Sequence, residues 1–179
     1  MLARVPAKYR LVPFLVVMLA SVAVSQMGAV DRSPDAFYLL PSRAFELMIG
    51  MCMALGFVRF PVKETWRQAT GTAGFIMVLF AALAFDAQTD FPGVSALLPC
   101  LGAALLIGSA NYGPTLVSRL LSTRGFIFVG KISYSLYLWH WPLLVFADYR
   151  WGEALQVWHR VLIVLLAVGL AWTTYVFVE

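Results

Sequence analysis

Few side chains in this 179-residue sequence can do chemistry, and most fall in two short stretches. The first runs from Lys131 to Asp148, where Ser133, Tyr137, His140 and Leu144 recur at i, i+4, i+7 and i+11. That period sets a hydroxyl, a phenol and an imidazole along one helical face. An imidazole in such a place can take or give a proton near neutral pH. Pro142 adds a polar group, because it leaves the carbonyl of Leu138 without its usual amide donor. The second stretch holds Arg43 and Glu46, three residues apart and so neighbours on a helix surface. Such a pair can bind a polar ligand or orient a loop. Both constellations also have structural readings. His140 can serve as a hydrogen-bonding group between helices, with Trp139 and Trp141 as packing. Arg43 and Glu46 can be an ion pair favoured by the positive end of a helix.

Other candidates are weaker. Arg119, Arg124 and Lys131 could receive the phosphates of a donor or of anionic lipids, but their charge also has a topological explanation. Trp158, His159 and Arg160 have the composition of an interfacial anchor. No GxGxxG, GxxxxGK, HExxH or GxSxG motif occurs. Cys52 and Cys100 show no CxxC or Cys/His spacing, so they read as packing residues and no metal site is expected.

The elements that must position these groups follow from composition. Hydrophobic residues make up 61% of the chain and charged residues 12%, against roughly 45–50% and 25% in a soluble domain. Disordered and disulfide-scaffold classes are excluded. Charge-free runs cover residues 11–30, 47–58, 68–85, 91–118, 132–147 and 161–178, and a helix of about 20 apolar residues crosses a bilayer. The expected architecture is all-α, a polytopic transmembrane bundle of about six spans at 11–30, 43–59, 68–86, 93–110, 131–148 and 159–178. The second is short or tilted, since Glu46 lies inside it and Arg59 ends it.

A net charge of +4 could suggest a nucleic-acid partner, but the basic residues follow membrane topology instead. Arg4, Lys8 and Arg10, then Arg59, Lys63 and Arg67, then Arg119, Arg124 and Lys131 all fall on one side of a six-span layout. The positive-inside bias makes that side, and both termini, cytoplasmic. Arg32, Arg43, Arg150 and Arg160 are left outside among Asp31, Asp35, Asp86, Asp90, Asp148 and Glu153. The alternative for residues 1–24 is a signal peptide, whose cleavage would leave five spans.

Local signals refine the layout. Pro34 and Pro41 punctuate the first outer loop, and Ser42 is placed to cap the second span. Pro99 is expected to bend the fourth. Residues 115–130, with Leu116, Leu120 and Leu121 around Arg119 and Arg124, suit a short helix along the cytoplasmic interface. No internal repeat or linker divides the chain.

These residues carry a resemblance to the C-terminal part of the membrane-bound acyltransferase family 3. Its basis is Phe37 to Leu47, Phe91-Pro92-Gly93 with Leu97-Leu98-Pro99, the long segment Gly130 to Leu144, and the closing Tyr175 to Glu179. The resemblance implies a multi-pass enzyme of the bacterial inner membrane. It would take acyl groups, often acetyl, from cytoplasmic acyl-CoA and deliver them to hydroxyls of extracytoplasmic glycans. No bound cofactor is implied; the partners are the bilayer, the acyl donor and the glycan acceptor. Candidates to line the passage are Arg43, Glu46, Tyr137 and His140, with Arg119, Arg124 and Lys131 for the donor. The family's presumed catalytic histidine and arginine motifs lie in N-terminal helices that have no counterpart here. The chain resembles the family from its fifth helix onward, so an N-terminal complement, from an incomplete or split gene, is expected to complete it. The competing readings are a membrane transport or binding protein without chemistry and an inactive remnant.

Overall fold

A computed structural model describes residues 7–31, 39–86, 89–152 and 156–178, with side chains from Val12 onward. Arg4, Arg32, Pro34, Asp35, Glu153 and Glu179, with the side chains of Lys8 and Arg10, lie outside the described residues. The chain is helical: α1 (Ala7–Val30), α2 (Leu40–Ala54), α3 (Glu64–Ala84), a 3-10 turn (Val94–Ala96), α4 (Leu97–Ala110), α5 (Leu116–Leu121), α6 (Arg124–Trp151) and α7 (Val157–Phe177). Among the described residues no strand occurs. Among the described residues three helices are both long and apolar enough to cross a bilayer: Val12–Val30 in α1, all of α3 and all of α7. Residues Val94–Ala110 form a shorter apolar helix. The 15 residues of α2 reach about 22 Å, and the 28 of α6 about 42 Å, at 1.5 Å per residue. The chain is a helical membrane protein.

The helices group into two compact units, residues 1–120 and 121–179. In the first, α3 packs most extensively on α4, while α1 packs on α2 and α2 on α4. Glycine makes the α3–α4 contact possible. A Cβ on Gly74 would lie 2.6 Å from the Gly102 carbonyl, and one on Gly71 would lie 2.9 Å from the Ser109 hydroxyl. Small residues let membrane helices approach until backbones touch, which replaces the hydrophobic drive that lipid removes. Between α1 and α2 the contact is polar: the Ser21 hydroxyl donates to the Pro41 carbonyl at 2.6 Å and accepts the Phe45 amide at 3.0 Å. It thus occupies one step of the first turns of α2, beside fully buried Phe45.

In the second unit α6 packs on α7. Ile132, Ser135 and Ala147 of α6 and Ile163, Ala167 and Ala171 of α7 are the buried positions. Gln156 and His159 form a reciprocal capping box at the start of α7, which satisfies amides that the first turn leaves unpaired.

Three local expectations change. Ser42 does not cap α2: the helix starts at Leu40 with Pro41 in its first turn, and the Ser42 hydroxyl donates back to the Leu39 carbonyl at 2.7 Å. Proline is preorganised for the first turn, so the helix begins three residues early. Pro99 sits in the first turn of α4, after a 3-10 turn, where it has no interior hydrogen bond to break. The interfacial helix shrinks to α5, six residues held by reciprocal bonds of Thr115 and Ser118. Arg124 already begins α6, because nothing in residues 124–131 breaks a helix and the charge at Lys131 ends only the apolar run.

Candidate functional site

The α6–α7 pair carries the candidate site. Ser133, Tyr137, His140 and Leu144 face one groove of about 440 Å³, as their spacing requires, with Leu136 beside them. Its far wall is Ile163, Val164, Ala167 and Val168 of α7. The polar groups of α6 therefore look across hydrocarbon.

His140 is held in a defined way. Its Nδ1 lies 2.7 Å from the Tyr137 carbonyl and 3.2 Å from the Leu136 carbonyl. A carbonyl can only accept, so Nδ1 carries the proton, and in the neutral ring Nε2 has the free lone pair. Among the described residues, none is hydrogen-bonded to Nε2. The carbonyl of Leu138, freed by Pro142, is not the partner. Helical side chains lean back over the preceding turn and meet carbonyls at i−3 and i−4, whereas Leu138 is at i−2. The Tyr137 and His140 rings are 5.6 Å apart, tilted by 45°, and Tyr137 is 68% exposed. Ser133 is turned to its own helix, donating to the Gly130 carbonyl at 2.7 Å.

Trp139, read from sequence as packing, has a further task. Its indole nitrogen donates to the Thr174 hydroxyl at 2.9 Å, and Thr174 in turn donates to the Leu170 carbonyl. One residue from His140, this bond ties α6 to α7. The signal for it was Thr173-Thr174 in an otherwise apolar span, where a hydroxyl near a tryptophan is a natural acceptor.

Arg43 and Glu46 belong to the other unit. Their Nη2 and Oε2 atoms are 3.2 Å apart, with side chains 40% and 21% exposed, so the pair is real and half-buried. The structure thus joins Arg43 to Glu46 and Tyr137 to His140, each within its own unit. Arg119 lies in the first unit and Arg124 and Lys131 in the second, all three exposed.

The cation that sequence reasoning missed is Arg67. Assigned by position to the cytoplasmic segment between the second and third spans, it is only 9% exposed. Its guanidinium donates to the carbonyls of Tyr112 and Pro114, and Nε is buried without a partner among the described residues. Gly113 between them has φ +136°, and a Cβ there would come 2.8 Å from Nη1. Glycine is needed both for that conformation and for the close approach. Among the described residues no cluster of His, Cys, Asp and Glu is placed to hold a metal.

An all-helical membrane chain with an imidazole in a groove is compatible with group transfer in the bilayer. A family model described as an acyltransferase domain, that of acyltransferase family 3, matches residues 1–176, and the chain belongs to that family. It is 29% identical over 176 residues to the putative peptidoglycan O-acetyltransferase YrhL of Bacillus subtilis, covering 92% of this chain and 28% of that protein. It is 31% identical over 149 residues to the O-acetyltransferase OatA of Staphylococcus aureus, covering 77% and 24%. The chain therefore spans about a quarter of the length of these relatives. No solved structure matches it significantly.

Proposed function

We propose that this chain is part of a membrane O-acyltransferase of the bacterial inner membrane. It moves an acyl group, acetyl on the relatives' names, from cytoplasmic acyl-CoA to hydroxyls of an extracytoplasmic glycan. The observation that carries this reading is the family match over residues 1–176. The relatives named as O-acetyltransferases extend well beyond the region they share with this chain, which supports an N-terminal complement as its partner.

In this reading His140 is a base of the transfer, working beside the presumed catalytic histidine of the N-terminal complement. The acceptor hydroxyl gives its proton to Nε2 as its oxygen attacks the acyl carbonyl; a C–O bond forms and the C–S bond of the thioester breaks. The proton then passes to the leaving thiolate. The Tyr137 carbonyl keeps Nδ1 protonated and the ring oriented, the part that a carboxylate plays in other histidine bases. Tyr137 positions substrate at the groove, Arg43 and Glu46 hold a polar group at the outer end of α2, and Arg119, Arg124 and Lys131 meet the donor phosphates. The test is reconstitution of the chain in vesicles with and without its N-terminal complement, following labelled acetyl from acetyl-CoA to glycan. Transfer by the pair is the expected result; none under any acceptor tried from the cell envelope would overturn the proposal.

A further inference from the structure

A second apolar groove, of about 470 Å³, opens in the unit of residues 1–120. Its wall comes from α1, α2, α3, α4 and the loop after α2, with Met18, Cys52, Met53, Phe60, Met77 and Ala104 facing the space. Three methionines give a wall that adapts to a chain without one fixed shape. Phe60 is fixed: a Cβ on Gly108 would fall 2.2 Å from its ring, so glycine there is what seats the phenyl group against α4. Arg59 lies between Val58 and Phe60, both of which line the groove, and Lys63 follows one turn of chain later. Both basic side chains are exposed, and neither has a carboxylate partner among the described residues.

We propose that this groove holds one acyl chain of an anionic phospholipid, with the lipid phosphate at Arg59 and Lys63. The walls offer almost no hydrogen-bonding group, so a sugar or nucleotide inside them would lose its water without compensation. Hydrocarbon loses nothing there. At about 30 Å³ for a methylene-sized group, taken as a water's share of liquid volume, the space takes roughly fifteen of them. Basic residues on a segment that lines a groove between membrane helices, as Arg59 does between Val58 and Phe60, favour phosphate-bearing, negatively charged headgroups. The inference stands on the groove and its charges, independent of the acyltransfer reaction.

The test uses the whole chain purified in detergent and delipidated. Native mass spectrometry with phosphatidylglycerol and phosphatidylcholine of equal chain length should show a single retained phosphatidylglycerol, about tenfold preferred. Arg59→Gln with Lys63→Gln should remove the preference, and Ala104→Trp should remove the bound lipid. Because the tryptophan variant can fail to fold, the unaltered protein supplies a second readout. Alkylation of Cys52, which lines the groove, should slow severalfold with phosphatidylglycerol and stay unchanged with phosphatidylcholine. Equal retention of the two lipids, Cys52 alkylation indifferent to phosphatidylglycerol, or displacement of the lipid by equimolar palmitoyl-CoA would each overturn the proposal.

Discussion

The α3–α4 pair and the α6–α7 pair solve the same packing problem in opposite ways. In the first, glycines at 71, 74 and 102 bring backbones into contact, and a methyl group at any of them would meet an atom within 3 Å. In the second, a Cβ on Gly125, Gly130 or Gly169 would meet nothing within 4 Å, and a groove of about 440 Å³ stays open beside His140. A backbone contact leaves no volume along the seam itself, and the groove of the first unit opens beside that seam, where α1 and α2 complete the wall. Alanine, serine and isoleucine side chains, joined by a tryptophan–threonine bond, hold two helices together and leave a space between them. The difference separates a helix pair closed along its seam from one that leaves a space beside His140.

The largest expected effect tests the open pair. If His140 is a base of the transfer, His140→Ala in a transfer-competent assembly should lower the rate by about 10²–10⁴-fold, the range for loss of a general acid or base. Helical content and thermal unfolding should stay near those of the parent. A rate within threefold of the parent would make the imidazole a packing group and remove the functional side of the contrast.

The next effect tests the closed pair. Gly74→Leu would drive its side chain into the Gly102 carbonyl and Leu105, and overpacking of this kind costs about 3 kcal/mol. Gly130→Ala, with open space around it, should be neutral or stabilising by up to about 1 kcal/mol, since alanine is the better helix former. Denaturant titration in micelles compares the two, and equal destabilisation would mean that the glycines of the two pairs are not different in kind.

Much of this arrangement is legible in the sequence because the bilayer sets a length that charge must respect. Each charge-free run overlaps a helix among the described residues, and the 3.6-residue period places Tyr137 and His140 on one face. What pattern could not supply is any partner distant along the chain. Arg67 looks like its neighbours Arg59 and Lys63 until the carbonyls of Tyr112 and Pro114, more than forty residues away, take its guanidinium. The start of α6 was displaced for a related reason: a charge ends an apolar run without ending a helix, so Arg124 to Gly130 continue it. For Arg67 the structure gives a direct expectation. Arg67→Gln should cost about 2 kcal/mol, the range for hydrogen bonds from a charged donor. It should also increase protease cleavage near Gly113. Unchanged stability and cleavage would leave Arg67 as one more basic residue of the cytoplasmic segment between the second and third spans.

The smallest effect is the most discriminating, because it acts on the groove without touching it. Thr174→Val keeps the shape of the side chain but removes the acceptor of the Trp139 indole and one donor to Leu170. Interhelical hydrogen bonds in membranes average about 0.6 kcal/mol, so the unfolding midpoint should barely move. Activity should respond differently. His140 is the next residue on α6, and its ring reaches α7 only across the space that this bond helps to set. A looser α6–α7 pair should lower kcat with KM nearly unchanged, and Thr174→Ser, which restores the hydroxyl, should recover it. If valine and serine behave alike, the bond contributes only stability, and the groove is set by the small residues Ser135, Ala167 and Ala171 alone.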